Sequence, residues 1–312
     1  MSRSKLRNLP ASVRQRLYNR AQERHEDFGL VLTKYALERF LYRLSQSPYR
    51  DQFVLKGALL FELWTHRPYR PTRDLDLSGP RVGGAARIRK IFGDILGGDV
   101  EDDGLVFDPK SIRITRIREE EEYQGLRVTF LARLERARIP LQVDIGFDDA
   151  IVPAPEEIQF PGMLGFPAAR LRAYPKETVV AEKLEALVKL GMANTRMKDF
   201  YDLWIMAREF EFAGPTLCKA IDATFKGRQT QIPATVPLPL TEEFSKDPQK
   251  ARQWRAFLKK SSLDQQTAEL NQVIADLTTF VMPPLAAIRV SDPFRMAWAK
   301  NGPWVPEKRQ FE

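Results

Sequence analysis

Asp74-Leu75-Asp76 is the stretch of this chain whose residue types and spacing point most directly to chemistry. On a strand, period-two alternation puts both carboxylates on one face and Leu75 and Leu77 on the other. Two carboxylates pointing the same way repel unless a cation sits between them. Mg²⁺ prefers oxygen ligands and commonly binds substrate phosphates as well, so it would resolve the repulsion. Asp-x-Asp is also ordinary turn chemistry, because Asp is a frequent turn residue, and it occurs in metal-dependent glycosyltransferases. The preceding stretch makes this copy more specific. An apolar run of strand type, Phe53 to Leu55, is punctuated by Gly57, and Ala58 to Trp64 reads as the first turns of a helix. A glycine lets backbone approach a phosphate closely, and a helix N-terminus behind it favours anions.

A third carboxylate comes from Ile139 to Phe147, where Asp144 alternates with Leu141, Val143, Ile145 and Phe147 and so points off the apolar face. Either it converges with Asp74 and Asp76, or it is an edge-strand aspartate facing water. Two helices supply further groups. On Thr178 to Leu190, helical periodicity places Lys183 on the stripe of Val179, Ala186, Leu187 and Leu190. A lysine so placed either snorkels outward or meets an anion. On the next helix Asp199 and Asp202 share a stripe with Leu203, Met206 and Phe210, where burial is expected. A structural ion pair joining Lys183 to one of these aspartates is the plain alternative to a catalytic role, and the two are compatible.

These residues need a frame. Residues 9–50 read as two helices, the first opened by Pro10, the second carrying Leu32, Tyr35, Ala36, Phe40, Leu41 and Leu44 at helical spacing. After Gly83-Gly84 a helix presents Ile88, Ile91, Phe92 and Ile95 on one face and stops at Gly97-Gly98. Three strands follow within 112–117, 126–131 and 139–147, neighbours in one sheet, with the acidic run Glu119 to Glu122 as a solvated connection. The proline-rich stretch 150–175 reads as a crossover, and the remainder as mostly helical up to an irregular tail after Met282 packed by Trp298 and Trp304. The divisions expected are a helical segment at 1–50, a catalytic core at 51–155 and a helical domain at 156–312.

The 312 residues, 43% hydrophobic and 29% charged, suit a soluble globular protein with two cores. No apolar run approaches the roughly 20 residues that span a bilayer, and the N-terminus lacks the apolar segment of a signal peptide, so the chain is expected to be cytoplasmic and without membrane contact. The single cysteine, Cys218, excludes an internal disulfide and a cysteine-based zinc site, and the two histidines, His25 and His66, leave little room for a Ser/His/Asp triad. A net charge of +8 suits a polyanionic partner, with the arginine-rich segments 67–73, 133–138 and 170–176 as its footprint.

In this order Phe53-Val-Leu-Lys-Gly-Ala-Leu-Leu-Phe61, Thr72-Arg-Asp-Leu-Asp-Leu77, Leu141-Gln-Val-Asp-Ile-Gly146, Ala181-Glu-Lys-Leu-Glu-Ala186 and Met197-Lys-Asp-Phe-Tyr-Asp-Leu203 resemble the AbiEii/AbiGii family of bacterial nucleotidyltransferase-like proteins. That family includes toxins of toxin-antitoxin and abortive-infection systems, the MenT toxins among them. The resemblance implies an α+β fold, a polymerase-β-like core of mixed sheet and flanking helices plus a helical C-terminal domain. It implies Mg²⁺ or Mn²⁺ and a nucleoside triphosphate, transfer to an RNA acceptor (the tRNA 3′ end) that blocks translation, and pairing with an AbiEi-type antitoxin. Asp74, Asp76 and Asp144 then match metal and catalytic carboxylates, Lys183 the essential lysine and Asp199 the aspartate of a Lys-Asp helix. Lys56, Gly57, Ala58, Lys183 and Asp202 fall to nucleotide binding. Ala58 departs from the wider pattern, where Gly-Gly or Gly-Ser stands, so a serine contact to phosphate is lost. Phosphoryl transfer to a protein hydroxyl, and a non-catalytic RNA- or protein-binding module, remain open on the same residues.

Overall fold

The protein is described by a computed structural model that covers residues 8–65, 70–80, 84–119, 123–147, 149–263 and 268–307. The acidic connection at Glu120 to Glu122 lies outside the described residues, as do Arg67 to Tyr69 and the whole of Gly83. The chain forms two compact units, one of Met1–Asp148 with Glu156–Ala173 and one of Asp149–Pro155 with Tyr174–Glu312.

In chain order, the first unit contains α1 (Leu9–Glu23), α2 (Phe28–Gln46), β1 (Val54–Lys56), α3 (Leu59–Thr65), β2 (Asp74–Gly79), α4 (Gly84–Leu96), β3 (Leu105–Glu119), β4 (Tyr123–Leu134), β5 (Ala137–Phe147), β6 (Glu156–Phe160) and β7 (Ala169–Ala173). All seven strands join one mixed sheet in the order β3-β4-β5-β2-β1-β7-β6. The pairs β2–β5 and β1–β7 are parallel and the rest antiparallel.

The helices start where local chemistry allows. Asn8 caps α1 by accepting the Ala11 N–H, with Pro10 in the first turn, and Asp27 caps α2 through the Leu30 N–H. Nearly every side chain of α2 is buried, including the apolar stripe read from the sequence. Phe40 of α2 stacks on Phe92 of α4 at 5.4 Å between ring centroids and lies 5.3 Å from Phe130 of β4. These contacts hold one face of the sheet, the face of Leu75, Val128 and Val143, in the core.

The stretch 150–175 is more regular than its prolines suggest. Pro161 and Pro167 fall between β6 and β7, not within them, so neither removes a ladder hydrogen bond. In β7 the buried Ala169, Leu171 and Ala173 alternate with Arg170 and Arg172, which is the period of a strand.

The second unit contains α5 (Lys176–Leu190), α6 (Met197–Glu209), β8 (Phe212–Ala213), α7 (Gly214–Gly227), α8 (Glu242–Lys246), α9 (Pro248–Lys260), α10 (Leu270–Val290), β9 (Met296–Trp298) and β10 (Trp304–Pro306). The tail is not irregular, since α10 runs through Pro283-Pro284, and β9 and β10 complete a small sheet with β8. A proline inside a helix leaves the carbonyl four residues back without its donor. For Pro284 that carbonyl belongs to Phe280, and Trp304 supplies the missing N–H from its indole at 2.9 Å. Trp298 likewise donates at 2.6 Å to the Ala207 carbonyl in the last turn of α6. Trp304→Phe keeps the ring contacts but strands the Phe280 carbonyl, and thermal unfolding is expected to show a loss of about 1–3 kcal/mol. Among the described residues α10 is the one helix long and apolar enough to cross a membrane by length and composition. Its buried Val273, Leu277, Phe280, Val281 and Leu285 pack as in a core helix.

Candidate active site

β2 is the strand that the sequence placed at the centre of the chemistry, and it is central in space. Leu75 and Leu77 are buried, while Asp74 and Asp76 lie half-buried on the opposite face. Thr72, itself buried, donates its hydroxyl to Oδ1 of Asp74 at 2.7 Å and so fixes that carboxylate. Asp76 is fixed by space. A Cβ placed on Gly57 would lie 2.0 Å from Oδ2 of Asp76, and Gly57 has φ +81°, so any side chain there would both collide and strain the backbone. The turn between β1 and α3 therefore needs glycine to admit the Asp76 carboxylate. α3 itself follows as a short helix whose first bonds run from Leu60 N–H to the Gly57 carbonyl and from Phe61 N–H to the Ala58 carbonyl.

Cross-strand register completes the row. Lys56 on β1 is directly opposite Asp76, Asp76 is opposite Asp144 on β5, and Asp144 is opposite Arg127 on β4. Directly opposed residues share a face, so four charges lie side by side in the order Lys56, Asp76, Asp144, Arg127. Asp144 is thus in the sheet interior, not on an edge, and its side chain is 17% exposed. Arg127 grips it with two parallel bonds, Nε to Oδ1 at 2.9 Å and Nη2 to Oδ2 at 2.8 Å, and the Gln142 amide adds a third at 3.3 Å. The bond to Asp144, joined by the charges of Asp144, Asp74 and Asp76, holds the guanidinium above its ordinary value. Partial desolvation strengthens such a bidentate pair.

Arg127 is the group that the motif reading missed. It stands in a strand whose Leu126, Val128 and Phe130 are buried, so alternation puts it on the outer face; only the β4–β5 register sets it opposite Asp144. Among the described residues no group of three His, Cys, Asp or Glu side chains closes around a point that could hold a metal ion. Asp74 and Asp76 still offer oxygen donors on one strand face, a set that suits Mg²⁺, which usually takes one or two carboxylates together with substrate phosphates. Asp144, the third expected carboxylate, is on the same face and is held by Arg127.

The second unit holds its own charged cluster. Lys183 Nζ on α5 lies 2.7 Å from Oδ1 of Asp199 and 2.7 Å from Oδ2 of Asp202, both on α6. The lysine is 14% exposed and both aspartates are fully buried. The expected pairing is present, with both carboxylates where one was anticipated. The Arg196 Nε approaches the other oxygen of Asp199 to 2.6 Å, an ion pair without an aligned N–H. Burial pushes the Asp199 carboxyl up, but the cations Lys183, Arg196 and Lys198 outweigh it and hold the group below the usual carboxylate range.

The chain resembles two solved Helicobacter pylori structures at 16% identity. One, described as a nucleotidyltransferase, has a TM-score of 0.46, with 84% of this chain and 97% of that chain covered. The other, JHP933, has a TM-score of 0.44, with 84% and 94% covered. No curated protein matches the chain. The profile of the nucleotidyl transferase AbiEii toxin family, type IV toxin-antitoxin system, matches residues 39–279, which take in β1, β2, β5, α5 and α6 and every candidate residue named above. The chain belongs to the AbiEii nucleotidyl transferase toxin family.

Proposed function

We propose that this protein is a toxin that transfers a nucleoside monophosphate from a nucleoside triphosphate to the 3′ end of RNA, with tRNA as acceptor, and thereby blocks translation in the cytoplasm. The observation that carries the reading is the pair Asp74 and Asp76 on one face of β2, one set by Thr72 and the other seated against Gly57. These two carboxylates would hold Mg²⁺ or Mn²⁺. When bound, such an ion offsets charge on the phosphates and favours deprotonation of the attacking hydroxyl.

The chain's own residues divide the remaining work. Thr72 keeps Asp74 from rotating away, and Arg127 neutralises Asp144 so that Asp76 has one fewer unscreened neighbour. Lys56 brings a cation to the same row, and backbone at Gly57 and Ala58 is assigned to the outer phosphates. Lys183, positioned by Asp199 and Asp202, is assigned to phosphate charge, and an AbiEi-type protein is the proposed antitoxin.

Donor labelling tests the reaction type. With ATP, GTP, CTP or UTP labelled at the α-phosphate, the acceptor gains label; with γ-label it does not. Transfer of γ-label to a protein hydroxyl would replace this reading with phosphoryl transfer. Absence of any nucleotide or Mg²⁺ binding at millimolar concentration would leave a non-catalytic binding module.

A further inference from the structure

The carboxylate row occupies one end of an outer sheet face that continues well beyond it. On β3, β4 and β5 the inner positions Ile112, Val128, Phe130, Leu141 and Val143 are buried. The outer positions of the same strands carry Arg113, Arg133 and Arg138, all exposed. Register ties them to the site. Arg113 is opposite Thr129, Thr129 opposite Gln142 and Gln142 opposite Asp74, so Arg113 sits in the row of Asp74, about 14 Å away at three strand spacings. Arg138 lies further along β5 on the face of Asp144, about 20 Å from it, with Arg133 directly opposite on β4.

That Arg133–Arg138 pair is unfavourable in the isolated chain. Like charges directly opposed across two strands destabilise a sheet. None of Arg113, Arg133 and Arg138 has an ion-pair partner among the described residues, although Asp108 of β3 lies on the same face opposite Leu131, whereas Arg127 in the same strand as Arg133 is doubly bonded to Asp144. Three unpaired guanidinium groups on one open face, leading to the carboxylates, are complementary to a chain of regularly spaced anions. The other outer positions here are Val106 and Asp108 on β3, Thr129 and Leu131 on β4, and Pro140 and Gln142 on β5, so this stretch offers no aromatic ring for a base to stack on. Such a surface holds phosphates and does not read bases.

We propose that the outer face of β3–β5, through Arg113, Arg133 and Arg138, binds the phosphodiester backbone of the RNA acceptor independently of its sequence and guides its end to Asp74 and Asp76. The proposal rests on the transferase reading for the direction of the strand, but the binding itself is measurable without catalysis.

The test is fluorescence anisotropy with labelled total tRNA, titrated at 50 to 400 mM KCl, comparing wild type, Arg113→Ser and the triple variant Arg113→Ser/Arg133→Ser/Arg138→Ser. Each phosphate contact contributes about 0.7 to the slope of log K against log salt on single strands, so the triple variant should lose about 2 from the slope and bind at least about tenfold more weakly near 0.1 M salt. Arg113→Ser should lose about a third of that. The triple variant should unfold at the wild-type temperature or above it, because the opposed arginines are gone. A triple variant that is folded and binds with unchanged affinity and slope overturns the proposal. Competition by poly-L-glutamate as effective as unlabelled tRNA at equal charge overturns the choice of RNA in favour of an acidic protein. If wild type binds RNA through these arginines but transfers no nucleotide, the surface stands and the transferase reading falls.

Discussion

Asp76→Asn is expected to lower nucleotidyl transfer by about three orders of magnitude while leaving the protein about as stable as before. The size follows from what the carboxylate is assigned to do. Loss of a ligand to a charge-stabilising ion forfeits several kcal/mol in the transition state, at about 1.4 kcal/mol per decade of rate. The small size of the stability change follows from the register. Asp76 lies between Asp144, whose charge Arg127 offsets, and Lys56 on the opposite side, so an amide of the same shape removes one repulsion and one attraction together. A carboxylate retained for structure would behave differently, with neutralisation lowering the unfolding temperature. Measuring initial rates and thermal unfolding on the same preparation separates the two. Asp74→Asn should match it in activity. It should differ slightly in stability, because the Thr72 hydroxyl loses a charged acceptor for a neutral one.

Lys183→Ala is expected to abolish activity for a mixed reason. It takes the lysine from Asp199 and Asp202, both fully buried, and leaves Asp199 with the Arg196 and Lys198 charges. Breaking a buried ion pair by removing one partner costs about 3–5 kcal/mol, so chemical denaturation should show a large loss. The pH dependence carries the sign. In wild type the Asp199 carboxyl is held below its ordinary value of 3.8, so it contributes stability that is present above that pH and is lost as the pH falls through the lower, folded value. Without Lys183, burial pushes Asp199 up, and the deficit of the variant should narrow as the pH is lowered from 7 towards 4. The triple variant Lys183→Met/Asp199→Asn/Asp202→Asn removes all three charges together and should regain most of the lost stability. If it is folded and inactive, the cluster serves catalysis as well as packing. If it is folded and active, the cluster is structural only.

Much of this arrangement was legible because side-chain period is a local property. Alternation alone set Asp74 and Asp76 on one face of β2 and Asp144 off the core face of β5, and the 3.6-residue period set Lys183 on the apolar stripe of α5. What alternation does not contain is register. Arg127 was visible as an outward residue of a strand, but its bond to Asp144 depends on β4 pairing with β5 so that 127 faces 144; a slip of one residue would have turned it into the core. The same ignorance of pairing hid the row from Lys56 to Arg127 and the opposed arginines at 133 and 138. Proline misled in two places. The prolines of 150–175 bracket β6 and β7 without interrupting them, and Pro283-Pro284 is carried inside α10 because Trp304, some twenty residues later, satisfies the Phe280 carbonyl. Both are tertiary solutions to a local penalty, and no local pattern announces them.

The central claim is best tested by incubating the purified protein with total tRNA, Mg²⁺ and each α-labelled nucleoside triphosphate in turn, beside an Asp74→Ala control. Label appearing on tRNA with at least one nucleotide, dependent on Mg²⁺ and absent with Asp74→Ala, is the predicted result. No label with any nucleotide, or label that persists in the Asp74→Ala protein, would contradict the account.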